Sequence, residues 1–179
     1  MSKTLNRTKK VAFCGILSAL SVVIMLIAYF PYLTYAVPAF AGALTVLAVA
    51  QFGAGWGFLT YLATAVLSVF ICEKEAMVIY CCFFGYYPVV KYLLERLNKP
   101  IIEYILKVAL LNAAAVADYF VCIYLLGIPS EEFTSGIKFA IPLLLALANI
   151  MFLVYDLALN RIIALYFNKY HKRIQKIFK

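Results

Sequence analysis

Apolar residues in this chain come in long runs. They do not show the period of two of a half-buried strand or the narrow stripe of a surface helix. About six runs stand out, over residues 11–30, 36–52, 55–72, 76–97, 104–127 and 139–167. At about 1.5 Å per helical residue, each can cross a hydrocarbon core of about 30 Å. The pattern predicts an all-α integral membrane protein, with six transmembrane helices in one bundle, short loops and a single membrane domain over 1–179. The second and third runs are separated only by "QFGAGWG", whose glycines at 53, 55 and 57 predict a tight helical-hairpin turn. In the fourth run, Pro88 of "FGYYP" cannot donate to the carbonyl of Phe84, which predicts a kink near mid-membrane. Lys91 follows closely and is expected to snorkel towards the inner face.

Charge placement adds an orientation. Of the 16 Lys and Arg residues, all but Lys74 and Lys138 fall at the N-terminus, between or at the facing ends of the fourth and fifth runs, or in and after the C-terminal part of the sixth run. By the positive-inside rule both termini are cytoplasmic. The outer loops carry Glu73, Glu75, Glu131 and Glu132. Only 13% of residues are charged and 66% are apolar, with a mean hydropathy of +0.97, too few charges to cover a water-soluble surface. A net charge of +8 on a soluble protein would point to nucleic acid. Here the charges flank apolar runs, so the lipid bilayer is the expected partner and nucleic acid is not. The start resembles a signal peptide, but its apolar stretch is long and no clear A-x-A site follows, so it reads as an uncleaved first span. The basic "NKYHKRIQKIFK" reads as a topology anchor more than a lipid-docking site.

Catalytic signatures are missing. The sequence has no GxxxxGK[ST], HExxH or GxSxG motif, and no catalytic Cys–His pairing. The five cysteines lie in or beside apolar runs, and the single histidine, His171, lies in the basic tail. No enzyme activity, metal or cofactor is therefore expected.

Several residues are candidates for binding. Ala12, Gly15 and Ala19 form a small-residue stripe along the first run, either for internal packing or for docking a partner's helix. The first outer loop is aromatic and uncharged. Its Tyr32 and Tyr35 suit either an interfacial belt or a lid over a ring-shaped ligand. Glu73 and Lys74 of the second outer loop are either surface charge or ligand contacts. Asp118, with Tyr119 beside it, falls in the outer half of the fifth run. A carboxylate there must be paired, protonated or facing water. Tyr87 is a candidate for the floor of the same pocket. Asp156 is expected in a structural ion pair with Arg161 or Lys91, and Asn112 and Asn149 in bonds across helices.

The stretch "VAFCGILSALSVVIMLI", after a short basic N-terminus, resembles the first helix of the substrate-binding S components of energy-coupling factor transporters. The proline-containing "YFPYLTYAVPAFAGAL" and the glycine-rich "FGAGWGF" fit the same family, and the likeness spans nearly the whole chain in length and run number. The resemblance implies a bacterial cell-membrane protein. It would capture a small nutrient, a vitamin or related micronutrient, at its outer face. It would dock on a membrane scaffold subunit driven by two separate ATPase subunits. The family's small pair maps to Gly15 and Ala19, where alanine is the commoner residue at the first position. In size and number of runs the chain also resembles the rod-shape-determining membrane protein D family, morphogenesis scaffolds with no transported ligand.

Overall fold

A computed structural model describes residues 2–30, 33–97, 99–124, 127 and 140–170. Tyr32, Glu131, Glu132, Lys138 and the basic tail from 171 lie outside the described residues, as do parts of the last two predicted runs. Among the described residues every regular element is a helix, and there is no strand. Helix α1 (Ser2–Met25) tightens into a 3₁₀ turn over Leu26–Tyr29. Helices α2 (Ala36–Phe52) and α3 (Ala54–Ile71) follow. Helix α4 (Lys74–Ile79) runs through a π turn over Tyr80–Phe84 into α5 (Tyr87–Glu95). Helix α6 covers Pro100–Tyr124, and α7 (Ala140–Leu165) ends in a π turn over Tyr166–Tyr170. Five helical stretches are long and apolar enough to cross a membrane, while Ala36–Phe52 is shorter but apolar.

Packing within the molecule leaves most of each helix uncovered. Only 17–44% of each apolar window is buried, and large side chains such as Phe70 and Ile101 face outward. Water cannot cover such a surface without a large free-energy cost, so lipid is its natural solvent. Inside, small residues allow close approach. The Ser18 hydroxyl donates to the Thr60 carbonyl and the Ser21 hydroxyl to the Ala41 carbonyl, joining α1 to α3 and α2. Such interhelical bonds are each worth about 0.6 kcal/mol in membranes.

Cross-contacts define two ends. Lys10 near the start of α1 sits over the rings of Phe52 and Trp56 beside the α2–α3 turn. The Tyr166 hydroxyl of α7's π turn donates to Gln51 at the same end. We call this the near end. At the far end, the Tyr29 hydroxyl reaches the Ile71 carbonyl across 3.0 Å.

Two local expectations change. The α2–α3 turn needs one residue, not the whole "FGAGWG" stretch. Gly53 at φ 90°, ψ 177° makes the reversal, and Gly55 and Gly57 already belong to α3. Those dihedrals are essentially reserved for glycine. The break before Pro88 is a π turn rather than a simple kink. The Gly85 N–H reaches back five residues to the Tyr80 carbonyl at 2.8 Å, and Pro88 then stands in the first turn of α5, where its missing donor costs nothing.

Candidate functional site

Three features stand apart from ordinary packing: an ionic network towards the near end, an acidic group at the far end, and an open stripe on α1.

The network begins at Tyr87, whose hydroxyl donates to Asp156 Oδ1 at 2.5 Å. Lys91 Nζ lies 2.5 Å from the same oxygen and 2.8 Å from Glu95. Lys107 Nζ sits 2.6 Å from Glu103, 3.4 Å from Glu95 and 3.6 Å from Asp156. Three helices thus pool three carboxylates and two ammonium groups. The expected pairing of Asp156 is present, with Lys91 as partner. The expected snorkelling of Lys91 is not. Its side chain is 1% exposed, because Asp156 and Glu95 together supply inside the protein what water would have supplied outside. Lys107, counted from the sequence among inner-loop charges, is also buried. Tyr87 is fully buried, with its ring stacked on Phe83 at 5.1 Å and its hydroxyl held by Asp156, so it faces the network and not an open pocket. The sequence signal for this network was the i,i+4 spacing of Lys91 with Glu95 and of Glu103 with Lys107.

At the far end, Asp118 Oδ1 is buried and has no hydrogen-bond partner. Glu75 is the neighbouring charge that acts on it. Tyr35 precedes α2 at the same end. Partial burial of its phenol, together with the negative field of Glu75, Asp118 and Glu73, pushes its pKa above the ordinary value. Tyr35, Glu73, Glu75 and Asp118, from segments far apart in sequence, therefore lie within electrostatic reach of one another at this end. Glu73 has a local task as well. Its carboxylate caps α4, accepting from the N–H groups of Glu75 at 3.0 Å and Ala76 at 2.7 Å. Lys74 points outward. Tyr119 is half-buried, with its ring edge-on to Phe120 at 5.8 Å.

On α1, Cys14, Leu17, Ser18 and Ser21 supply the buried face. Ala12, Gly15 and Ala19 lie on the outside, and a Cβ added at Gly15 would meet nothing within 4 Å. The small-residue stripe takes no part in internal packing. Asn112 and Asn149 do bond across helices, at 3.2 and 3.4 Å, tying α6 to α7. Among the described residues no cluster of His, Cys, Asp or Glu has the arrangement of a metal site.

Searches against family models, curated proteins and solved structures found no match to this chain.

Proposed function

We propose that the chain crosses the membrane six times with both termini in the cytoplasm, and that it is the substrate-binding S component of an energy-coupling factor uptake transporter. In this reading the near end is cytoplasmic and the far end faces outward. A small nutrient is captured at the far end. The Ala12, Gly15 and Ala19 face docks on a membrane scaffold subunit, which two separate ATPases drive in a bacterial cell membrane.

The observation that carries the reading is the open stripe. A smooth small-residue face lets a second helix approach closely, and in lipid that close contact is what drives association. A helix with no partner gains nothing from leaving Gly15 bare while its opposite face does the internal packing. Asp118 supports the far end as the ligand side. A carboxylate oxygen buried without a donor favours a ligand that brings one, a cationic or strongly hydrogen-bonding group.

The test is a pair of measurements on the full chain. Native mass spectrometry of the gently purified protein should show a retained small molecule. A Gly15→Leu variant should keep that molecule but fail to pull down a membrane scaffold and its ATPases. Recovery of a cell-wall-synthesis complex with no small molecule would replace this reading with the morphogenesis scaffold.

A further inference from the structure

A groove opens on the side of the molecule between α3 and α5. It has a volume of about 500 Å³ and is lined by Phe58, Tyr61 and Leu62 of α3 and by Val89, Val90 and Leu93 of α5. Its inner wall is fixed. The Tyr61 hydroxyl donates to the Cys81 carbonyl in the π turn at 3.0 Å, and a Cβ on Gly85 would lie 2.5 Å from the Tyr61 ring. Tyr86, which precedes α5 and also lines the groove, meets that ring edge-on at 6.0 Å. The rim is open, with Phe58, Leu62 and Leu93 48%, 46% and 49% exposed. The lining is almost wholly apolar, so in a bilayer the groove takes up hydrocarbon. Large side chains form its walls. Helices that pair in lipid meet through small residues, as on the open face of α1, whereas a flexible acyl chain can follow an irregular wall.

Charge at the near-end mouth sets this groove apart from an ordinary lipid-facing surface. Arg96 ends α5 with helical dihedrals, so it falls within about 20° of Val89 around the axis and one turn beyond Leu93. It is exposed and rests over the Tyr92 ring at 5.6 Å. Among the described residues no ion pair uses it, and the neighbouring Glu95 is taken by Lys91 and Lys107. Across the groove, α3 starts at Ala54, one turn before Phe58, so its unbonded N–H groups open at the same end. A Cβ on Gly55 would meet nothing within 4 Å, which leaves the approach clear. A guanidinium beside the start of a helix favours an anion. We propose that the groove binds one anionic phospholipid, with an acyl chain between α3 and α5 and its phosphate at Arg96.

The proposal does not depend on the transport role, since its test contains neither nutrient nor scaffold. The purified full chain in detergent is titrated with phosphatidylglycerol or phosphatidylcholine of identical acyl chains, and the adducts are counted by native mass spectrometry. The first phosphatidylglycerol should bind about fivefold tighter than the first phosphatidylcholine. Arg96→Gln should remove most of that preference. Val90→Trp, which fills the groove, should abolish the tight first adduct. If that variant fails to fold, the wild-type protein decides the matter. Phosphatidylglycerol with a photoreactive diazirine on its acyl chain should label the segments around Leu62 and Val90 above the exposed faces of the other helices. Equal affinity for the two lipids, or labelling spread evenly over all exposed helix faces, would mean that lipid only surrounds the protein and would overturn the proposal.

Discussion

Lys91 and Lys107 should behave as mutual reserves, and the double variant should be far worse than the two singles predict. Lys91→Met removes an ammonium 2.5 Å from Asp156 and 2.8 Å from Glu95. Stranding a buried carboxylate in this way usually costs about 3–5 kcal/mol. Here Asp156 keeps the Tyr87 hydroxyl, and Lys107 stands 3.6 Å away. Coulomb attraction scales inversely with distance, so Lys107 retains about 70% of the pull Lys91 exerts on that oxygen. The single variant should therefore lose about 2 kcal/mol, not the full amount. Lys107→Met should cost about the same, since Glu95 keeps Lys91 and only Glu103 loses its nearest cation. With both lysines gone, three part-buried carboxylates face one another with no counter-charge. The double variant should exceed the sum of the singles by about 2 kcal/mol or more. Thermal unfolding of the four proteins in one detergent, followed by Trp56 fluorescence, gives the cycle. Additivity within about 0.5 kcal/mol would show that the two lysines do not share partners, and the network as described would be wrong.

Two other substitutions probe the far end and the near-end turn. Asp118→Asn removes a charge whose Oδ1 has no donor and which feels Glu75. It should raise stability by about 1 kcal/mol while abolishing retention of the small molecule proposed to bind there, and a clear loss of stability would reveal a structural partner for the carboxylate. Gly53→Ala forces a side chain into φ 90°, ψ 177°. A loss of about 1–3 kcal/mol is expected in the same unfolding assay, and a neutral result would place the α2–α3 reversal at another residue.

The helices were legible because lipid imposes one requirement on every stretch of backbone it touches. Each N–H must be bonded within its own helix, so a long apolar run can adopt hardly any other structure. Local breaks were legible for the same reason. Pro88 flagged the interruption before α5, although only the three-dimensional packing shows that a π turn absorbs it. Faces were harder. Heptad-like spacing put Ala12, Gly15 and Ala19 together, but periodicity says which residues share a face and not which way the face points. Only the contacts of Cys14, Leu17, Ser18 and Ser21 turn that stripe outward.

The ionic network shows where reading by depth fails. The sequence alone points Lys91 to the inner surface, because Arg96 and Lys99 follow it and a long side chain can reach water. That inference is sound for a lone lysine. It fails when another helix places an aspartate within reach: the sequence offers Asp156 either Arg161 or Lys91 as partner, and only the fold selects Lys91, 65 residues away, and so buries it. The i,i+4 pairs Lys91–Glu95 and Glu103–Lys107 were visible, yet each alone is what any solvated helix end would carry. Their meaning comes from convergence. Two pairs that would be nearly worthless in water become a shared counter-charge once α5, α6 and α7 exclude it. With Lys91 and Lys107 buried, Arg96 and Lys99 are basic residues that stay exposed between α5 and α6. The same two buried lysines that mark orientation in the sequence therefore serve, in the folded protein, to hold three helices together.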